Sequence, residues 1–311
     1  HSLTLGSGAC LFDSASNTNK RGAKMEVAKK VMFLMVSILF LCGKALAEPN
    51  TETLSEVRNP SLHSITKEIY EVPKPIFEDL GLEASADLNV SNIYIWRGIM
   101  LDGDPVIQPG FYLATKPYSW GKLKVGIWMS HDMENRDALK SSETDYLFDY
   151  TYTYNDVGLS LGHIYYDFPD ALPADGAAKG FSREVYAGVS LSKLFLSPAL
   201  YYYYDYGKKE DGGGEGSYAM LGVSYSIPLK VITRYACSLD LSGHAGLNNK
   251  QYYRGKGGDA ALGAGITIPL TKSLTCKPNI NYSAPWGNIS DKGNGNQKGR
   301  FYGGVYFTVI F

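Results

Sequence analysis

The chain has 311 residues, 20% of them charged, and 30 Lys and Arg set against 31 Asp and Glu leave a net charge of -1. That balance excludes a nucleic-acid or polyanion partner. Past residue 47 no run approaches the ~20 apolar residues of a membrane helix, and mean hydropathy is slightly negative at -0.17. A soluble protein gives such values, and so does a β-barrel whose lumen residues dilute those that face lipid.

Residues 1–24 contain no Met and precede Met25; they read as a mis-called extension of the reading frame. From Met25 the chain runs MEVAKKVMFLMVSILFLCGKALA. Lys29 and Lys30, an apolar core from Val31 to Cys42 and the triplet Ala45-Leu46-Ala47 make a secretory signal peptide over 25–47, cleaved after Ala47. Cys42 makes a weak lipidation site, since Leu41 precedes it where a small residue is expected. Residues 48–80 are polar with scattered Pro and read as a periplasmic leader with a short helix near Ser64 to Tyr70.

From Leu82 the chain alternates strand and turn. The segment TDYLFDYTYTY is the clearest strand: Tyr146, Phe148, Tyr150, Tyr152 and Tyr154 take one face, and Asp145, Asp149, Thr151 and Thr153 the other. In a sandwich the apolar face would be the interior; in a membrane barrel it is the outside. Connection lengths favour the barrel. Short links (PYSWG, NDV, KLF, TKS) alternate with long polar ones (DMENRDALKSSE, PDALPADGAAKG, GKKEDGGGEG, KQYYRGKGG, PWGNISDKGNGNQKG), as periplasmic turns alternate with external loops. KVITRYA is the exception, medium-sized on the short side. The count is about twelve strands. The segment FYGGVYFTVIF puts Phe301, Val305, Phe307, Val309 and Phe311 on one face up to the last residue. That suits a strand closing a barrel against lipid better than the frayed end of a soluble domain. The expected fold is an all-β, transmembrane, antiparallel up-and-down barrel over 81–311. The 24 tyrosines and 34 glycines of the chain fit its aromatic girdles and close-packed strands.

Several of these segments resemble a known family. SNIYIWRGIMLDGDPVIQPGFYLATK, GKLKVGIWMS, ETDYLFDYTYTYNDVGLSLGHIYYDFPDA and EVYAGVSLSKLFLSPALYYYYDYG are similar to the TorF family of porins. Its pattern is met at Trp96-Arg97-Gly98, Pro105, Gln108, Gly110, Trp128 and Ser130, then at Glu143, Asp145, Tyr165, Tyr166 and Pro169. The long leader and KVITRYA depart from it. The resemblance implies an outer-membrane porin with no settled substrate.

Strand phase assigns Glu83, Asp87, Arg97, Gln108, Lys122, Lys124, Asp145 and Asp149 to the lumen, and further on Glu184, Asp205, Asp240, His244, Lys277, Asn279 and Asn281. Acids outnumber bases there, which favours cations in a low-dielectric-walled pore; the same charges could instead pair across a middle-sized barrel and plug it. Arg97 is read as the end of the first strand, with Asp87, Asp145 or Asp149 as its partner in a constriction, or else as a structural lock or rim residue. Tyr201 to Tyr204 read as half girdle and half lumen; Trp96, Trp120 and Trp286 read as interfacial, and Trp128 as inward.

Cys237 and Cys276 are the cysteines past the signal peptide. An intervening strand separates them by about 10 Å, beyond the ~7 Å limit, so a disulfide needs a distortion by KVITRYA. No HExxH, GxSxG, Walker or CxxC motif occurs, and GGGEG opens no helix. His163, with outward parity, is the single candidate for a barrel phospholipase and lacks a recognisable Ser and Asn partner. The expected function is non-enzymatic: passive diffusion of small polar solutes or ions through the outer membrane of a Gram-negative bacterium, with a weak preference for cations and an outer gate of loop residues. The alternative is a non-conducting barrel that binds a ligand or partner through its loops. Expected partners are outer-membrane lipids and the barrel-assembly machinery, and no cofactor is implied.

Overall fold

The structure is a computed structural model that describes residue 77 and residues 80–134, 141–169, 180–229 and 237–311. The extension, the signal peptide, KVITRYA and all of the leader save Phe77 and Leu80 lie outside the described residues, as does most of the segment PDALPADGAAKG.

Fourteen strands are described. They are β1 (Leu82–Ser91), β2 (Tyr94–Trp96), β3 (Ile99–Asp102), β4 (Val106–Thr115), β5 (Lys122–Asp132), β6 (Ser141–Tyr154) and β7 (Val157–Phe168). Then come β8 (Gly180–Leu191), β9 (Ala199–Asp205), β10 (Gly216–Leu229), β11 (Cys237–Asn249), β12 (Lys256–Pro269), β13 (Leu274–Gly287) and β14 (Arg300–Ile310). Twelve of them form one closed antiparallel barrel in the order β1-β14-β13-β12-β11-β10-β9-β8-β7-β6-β5-β4, and β4 pairs with β1 to complete the ring. The remaining two, β2 and β3, pair only with each other.

Closure joins the two ends of the ring. Ser85 faces Ile310 and Ser91 faces Gly304 in register, and the Phe311 amide donates to the Ala84 carbonyl at 3.0 Å. Because the ring closes, none of its twelve strands is an edge strand, the condition for a sheet in hydrocarbon.

Alternation sets the faces. Along β6, Tyr146 and Phe148 point out, while Asp149 points in and accepts from the Tyr186 hydroxyl at 2.6 Å. Tyr202 and Tyr204 of β9 point out; Tyr201 and Tyr203 between them point in, where both pack against Tyr186. Phe111, Leu161, Leu200, Leu262 and Ile280 continue the outer belt, every one more than half exposed. Large apolar side chains left outside and carboxylates held inside invert the arrangement of a water-soluble domain.

No disulfide joins Cys237 and Cys276; both are buried. Cys237 sits on β11 and Cys276 on β13, with β12 hydrogen-bonded between them.

Candidate functional site

The outer connection between β1 and β4 carries the feature the sequence reading missed. Within it β2 and β3 form a hairpin, Trp96 opposite Ile99, turned by Arg97 and Gly98 alone. Both turn residues have positive φ, 48° and 76°. Two consecutive left-handed residues make the primed turn whose twist suits a tight hairpin. Gly98 is required for a second reason: a Cβ there would lie 2.6 Å from the Asp259 Cβ and 3.3 Å from the Pro285 Cβ. The hairpin tip therefore presses against the inner wall formed by β12 and β13.

Arg97 continues across the lumen. Its Nη1 donates to Glu184 Oε2 at 2.7 Å and its Nη2 donates to Glu184 Oε1 at 2.8 Å, a fork-on-fork pair. Nη1 also donates to Gln251 Oε1 at 3.0 Å. The guanidinium carbon stands 4.1 Å from the Tyr203 ring centre, 4.4 Å from that of Trp96 and 4.6 Å from that of Tyr218. β8, β9 and β10 lie on the far side of the ring from β1 and β4. The hairpin thus spans the bore at its outer end. Burial opposes the Arg97 charge, yet Glu184 and the surrounding tyrosines hold its pKa above the ordinary value.

Two expectations are corrected here. Arg97 does not end a barrel strand, and its partner is Glu184 rather than Asp87, Asp145 or Asp149. The two-residue turn carries Arg97 away from β1, which bears Asp87, and across the bore to β8; Asp145 and Asp149 lie on β6, two strands from β8 along the ring, where Asp149 is met by the Tyr186 hydroxyl. Trp96 is likewise no interfacial residue: its ring meets Tyr166 edge-on at 6.1 Å and Tyr252 at 5.7 Å inside the mouth. Trp128 faces in and contacts Tyr94 of the hairpin at 5.6 Å, whereas Trp120 and Trp286 are well exposed. The dipeptide Arg-Gly between YIW and IML was the available hairpin signal; read as the end of the first strand, it was invisible.

A shell of polar groups surrounds the latch. Glu184 also accepts from the Tyr166 hydroxyl at 3.0 Å and from Gln251 Nε2 at 2.9 Å. Asp205 accepts from Ser182 at 2.6 Å and from the amides of Gly207 and Gly214 at 3.0 and 3.1 Å. Those glycines flank the 3-10 turn Lys209–Asp211, and GGGEG leads from it straight into β10. Burial, with the Asp205 charge adding, raises the Tyr252 hydroxyl above its ordinary pKa. Asp259 accepts from the Tyr218 hydroxyl at 2.7 Å and lies 2.9 Å from His244 Nε2. Glu184, Asp205 and Gln251 are fully buried, so the outer half of the lumen is packed with side chains. We expect Tyr218→Phe to cost about 1 kcal/mol by leaving Asp259 one donor short, read as a lower urea midpoint of unfolding; no shift would place Asp259 in contact with water.

The other half of the lumen is more open. Asp240 takes bonds from Ser226 and Ser238 at 2.8 and 2.9 Å and an ion pair from Lys277 at 3.0 Å. With Asn89, Asn279, Asn281 and Tyr306 it borders a polar cavity of about 350 Å³. Nearby, Asp87 accepts from the Tyr306 hydroxyl, Asn89 donates to Gln108 at 2.8 Å, and Lys124 lies over the Tyr112 ring at 5.4 Å. Lys122 pairs with Glu83. Among the described residues no group of three or more His, Cys, Asp or Glu is arranged to hold a metal ion.

A closed twelve-stranded barrel with an apolar exterior, a polar interior and a hairpin folded across its mouth defines a protein of the outer-membrane barrel type. The chain belongs to the bacterial family Gcw_chp, described as of unknown function, whose model matches residues 78–271. No curated protein matches the sequence. Solved structures of similar fold include an outer membrane channel from Pseudomonas putida F1, 9% identical over 74% of this chain and 96% of that one, with a TM-score of 0.43. The NanC porin is 8% identical over 73% and 99%, with a TM-score of 0.42. The outer membrane phospholipase of Salmonella typhi is 10% identical over 72% and 90%, with a TM-score of 0.40.

Proposed function

We propose that this protein is an outer-membrane channel of the TorF type for passive diffusion of small polar solutes or ions, gated at its outer mouth by the β2–β3 hairpin. The observation that carries the reading is the Arg97-tipped hairpin lying across a lumen lined with polar side chains. The apolar outer belt supports contact with outer-membrane lipid. Export by the signal peptide at 25–47 and insertion by the barrel-assembly machinery belong to the same proposal.

A weak preference for cations follows from the charges left over. Arg97, Lys122 and Lys277 are taken by Glu184, Glu83 and Asp240. Asp87 and Asp149 are met by hydroxyls alone and Asp205 by neutral donors. Of the lumen cations the sequence assigned, Lys124 is left to oppose them. The field inside is therefore negative.

Planar-bilayer recording of residues 48–311 across a potassium chloride gradient tests this reading. We expect stepwise currents and a reversal potential of the sign given by potassium passing more easily than chloride. The opposite sign would refute the cation preference. Silence from a folded barrel would favour the second reading, a plugged barrel that binds a ligand at its outer face, which the full burial of Glu184, Asp205 and Gln251 supports. The hydrolase reading gains nothing: His163 Nε2 meets the Tyr206 hydroxyl at 2.8 Å, a phenol rather than an activated serine.

A further inference from the structure

The more open half of the lumen holds neutral polar groups that the barrel itself leaves unbonded. Ser242 of β11 lies opposite Gly263 of β12, Gly263 opposite Asn281 of β13, and Asn281 opposite Tyr302 of β14, one rung across four strands. Directly opposite residues share a face of the sheet, here the inward face that also carries Asp240, Lys277 and Asn279. Ser242, Asn281 and Tyr302 border the polar cavity of about 350 Å³. With no side chain at Gly263, or at Gly265 on the next inward rung, the wall is recessed between them. A Cβ on Gly263 would lie 2.4 Å from Asn281 Oδ1 and 2.8 Å from Ser242 Oγ, so both oxygens are held over one spot. The hydroxyls of Ser242 and Tyr302 have no hydrogen-bond partner among the described residues, and neither has Asn281 Oδ1. The Asn281 amide gives one bond, to Asn279 at 2.8 Å, and that of Asn89 on β1 gives one, to Gln108 at 2.8 Å. The charges beside them are engaged: Lys277 meets Asp240 at 3.0 Å, and Asp240 also accepts from Ser226, Ser238 and Thr267.

We infer that this recess binds one ring of a neutral, hydroxyl-rich solute, a monosaccharide or cyclitol. A solute hydroxyl both donates and accepts, and the groups left over here are of the same dual kind, two hydroxyls and two side-chain amides. A carboxylate only accepts and an ammonium only donates, so either would use half of what each partner offers. Neither would find a free counter-charge in this wall, since Asp240 and Lys277 hold each other. An apolar solute would displace water from these groups and give nothing back. The cavity lies at the lower end of the range for small-molecule pockets and suits a single ring rather than a chain of them. The inference deepens the channel reading by naming its solute class, and it rests on that reading for passage alone; binding requires only that the solute reach the lumen.

The test is saturation-transfer NMR of the full chain, solubilised in a detergent without a sugar headgroup. The probes are D-glucose, its carboxylate analogue D-glucuronate, and 1,4-dioxane, a six-membered ring that accepts hydrogen bonds and donates none. Glucose is expected to give a saturable signal and to bind at least about tenfold more tightly than either of the others. Gly263→Val puts a side chain between Asn281 and Ser242 in a residue suited to strands, and is expected to weaken glucose at least about tenfold. Ser242→Ala removes one partner and is expected to weaken it about fivefold. Equal affinity for glucose and dioxane would overturn the inference, as would the lack of a saturable glucose signal or undiminished binding in folded Gly263→Val. Should Gly263→Val lose the heat-modifiable gel mobility of a folded barrel, Ser242→Ala and the comparison of probes on the unaltered chain decide the matter. Saturable glucose binding by a chain that passes no current would overturn the channel and uphold the recess; stepwise currents without glucose binding would do the reverse.

Discussion

Glu184→Gln is expected to release the hairpin from the lumen and to raise the ratio of open to closed channel on the order of a hundredfold. The carboxylate answers both arms of the Arg97 fork, and the pair is buried. Removing one partner of a buried ion pair costs about 3–5 kcal/mol, because the remaining charge is left without compensation; each 1.4 kcal/mol is tenfold in an equilibrium. With the latch broken, swinging outward returns the Arg97 charge to water and relieves that penalty. Single-channel recording reads the result as long openings where the unaltered protein gives brief ones. Two further variants separate gating from damage. Arg97→Lys keeps the charge and loses the fork, so an intermediate open fraction is expected. Combining Arg97→Met with Glu184→Met replaces the pair by apolar side chains and should restore closure, since such exchanges are often neutral. An unchanged open fraction in folded Glu184→Gln would mean that the hairpin is not the gate.

Leu262→Arg is expected to cost about 2–4 kcal/mol of folding stability in a phospholipid bilayer. Leu262 is 71% exposed and lies midway along β12, opposite Gly243 on one side and Tyr282 on the other. Midway along a spanning strand is the level at which hydrocarbon is deepest and a charge most costly. The neighbouring Ala261 points the other way, across from His244, so Ala261→Ser should be nearly neutral. Urea titration of barrels refolded into vesicles measures both. A cost below about 0.5 kcal/mol for Leu262→Arg would mean that the outer belt does not meet lipid, and with it the membrane reading would fall.

The legible part of this protein is the part governed by period two. The opposite faces of Asp149 and Phe148, the outward aspect of Leu161 and Tyr202 and the inward aspect of Asp87, Asp240 and Lys277 follow from position along a strand, and twelve strands with unequal connections follow from turn spacing. Arg97 was not legible. Its alternation with Ile93 and Ile95 looked like the end of a strand, while the Arg-Gly turn that removes it from the barrel is a single dipeptide with a weaker signal than Asn-Gly. The cluster of Tyr218, His244 and Asp259 was only half seen, since His244 was assigned to the lumen and the acid that faces it was not.

The sequence by itself determined which side chains face in and which face out, because alternation along a strand is a local property of the backbone. Only the tertiary structure decided what occupies the bore. Glu184 lies 87 residues from Arg97 and Gln251 lies 154 residues from it. No local pattern ties such positions together; they meet because closure of the ring sets the far wall at the distance that one arginine, extended from a hairpin tip, can reach.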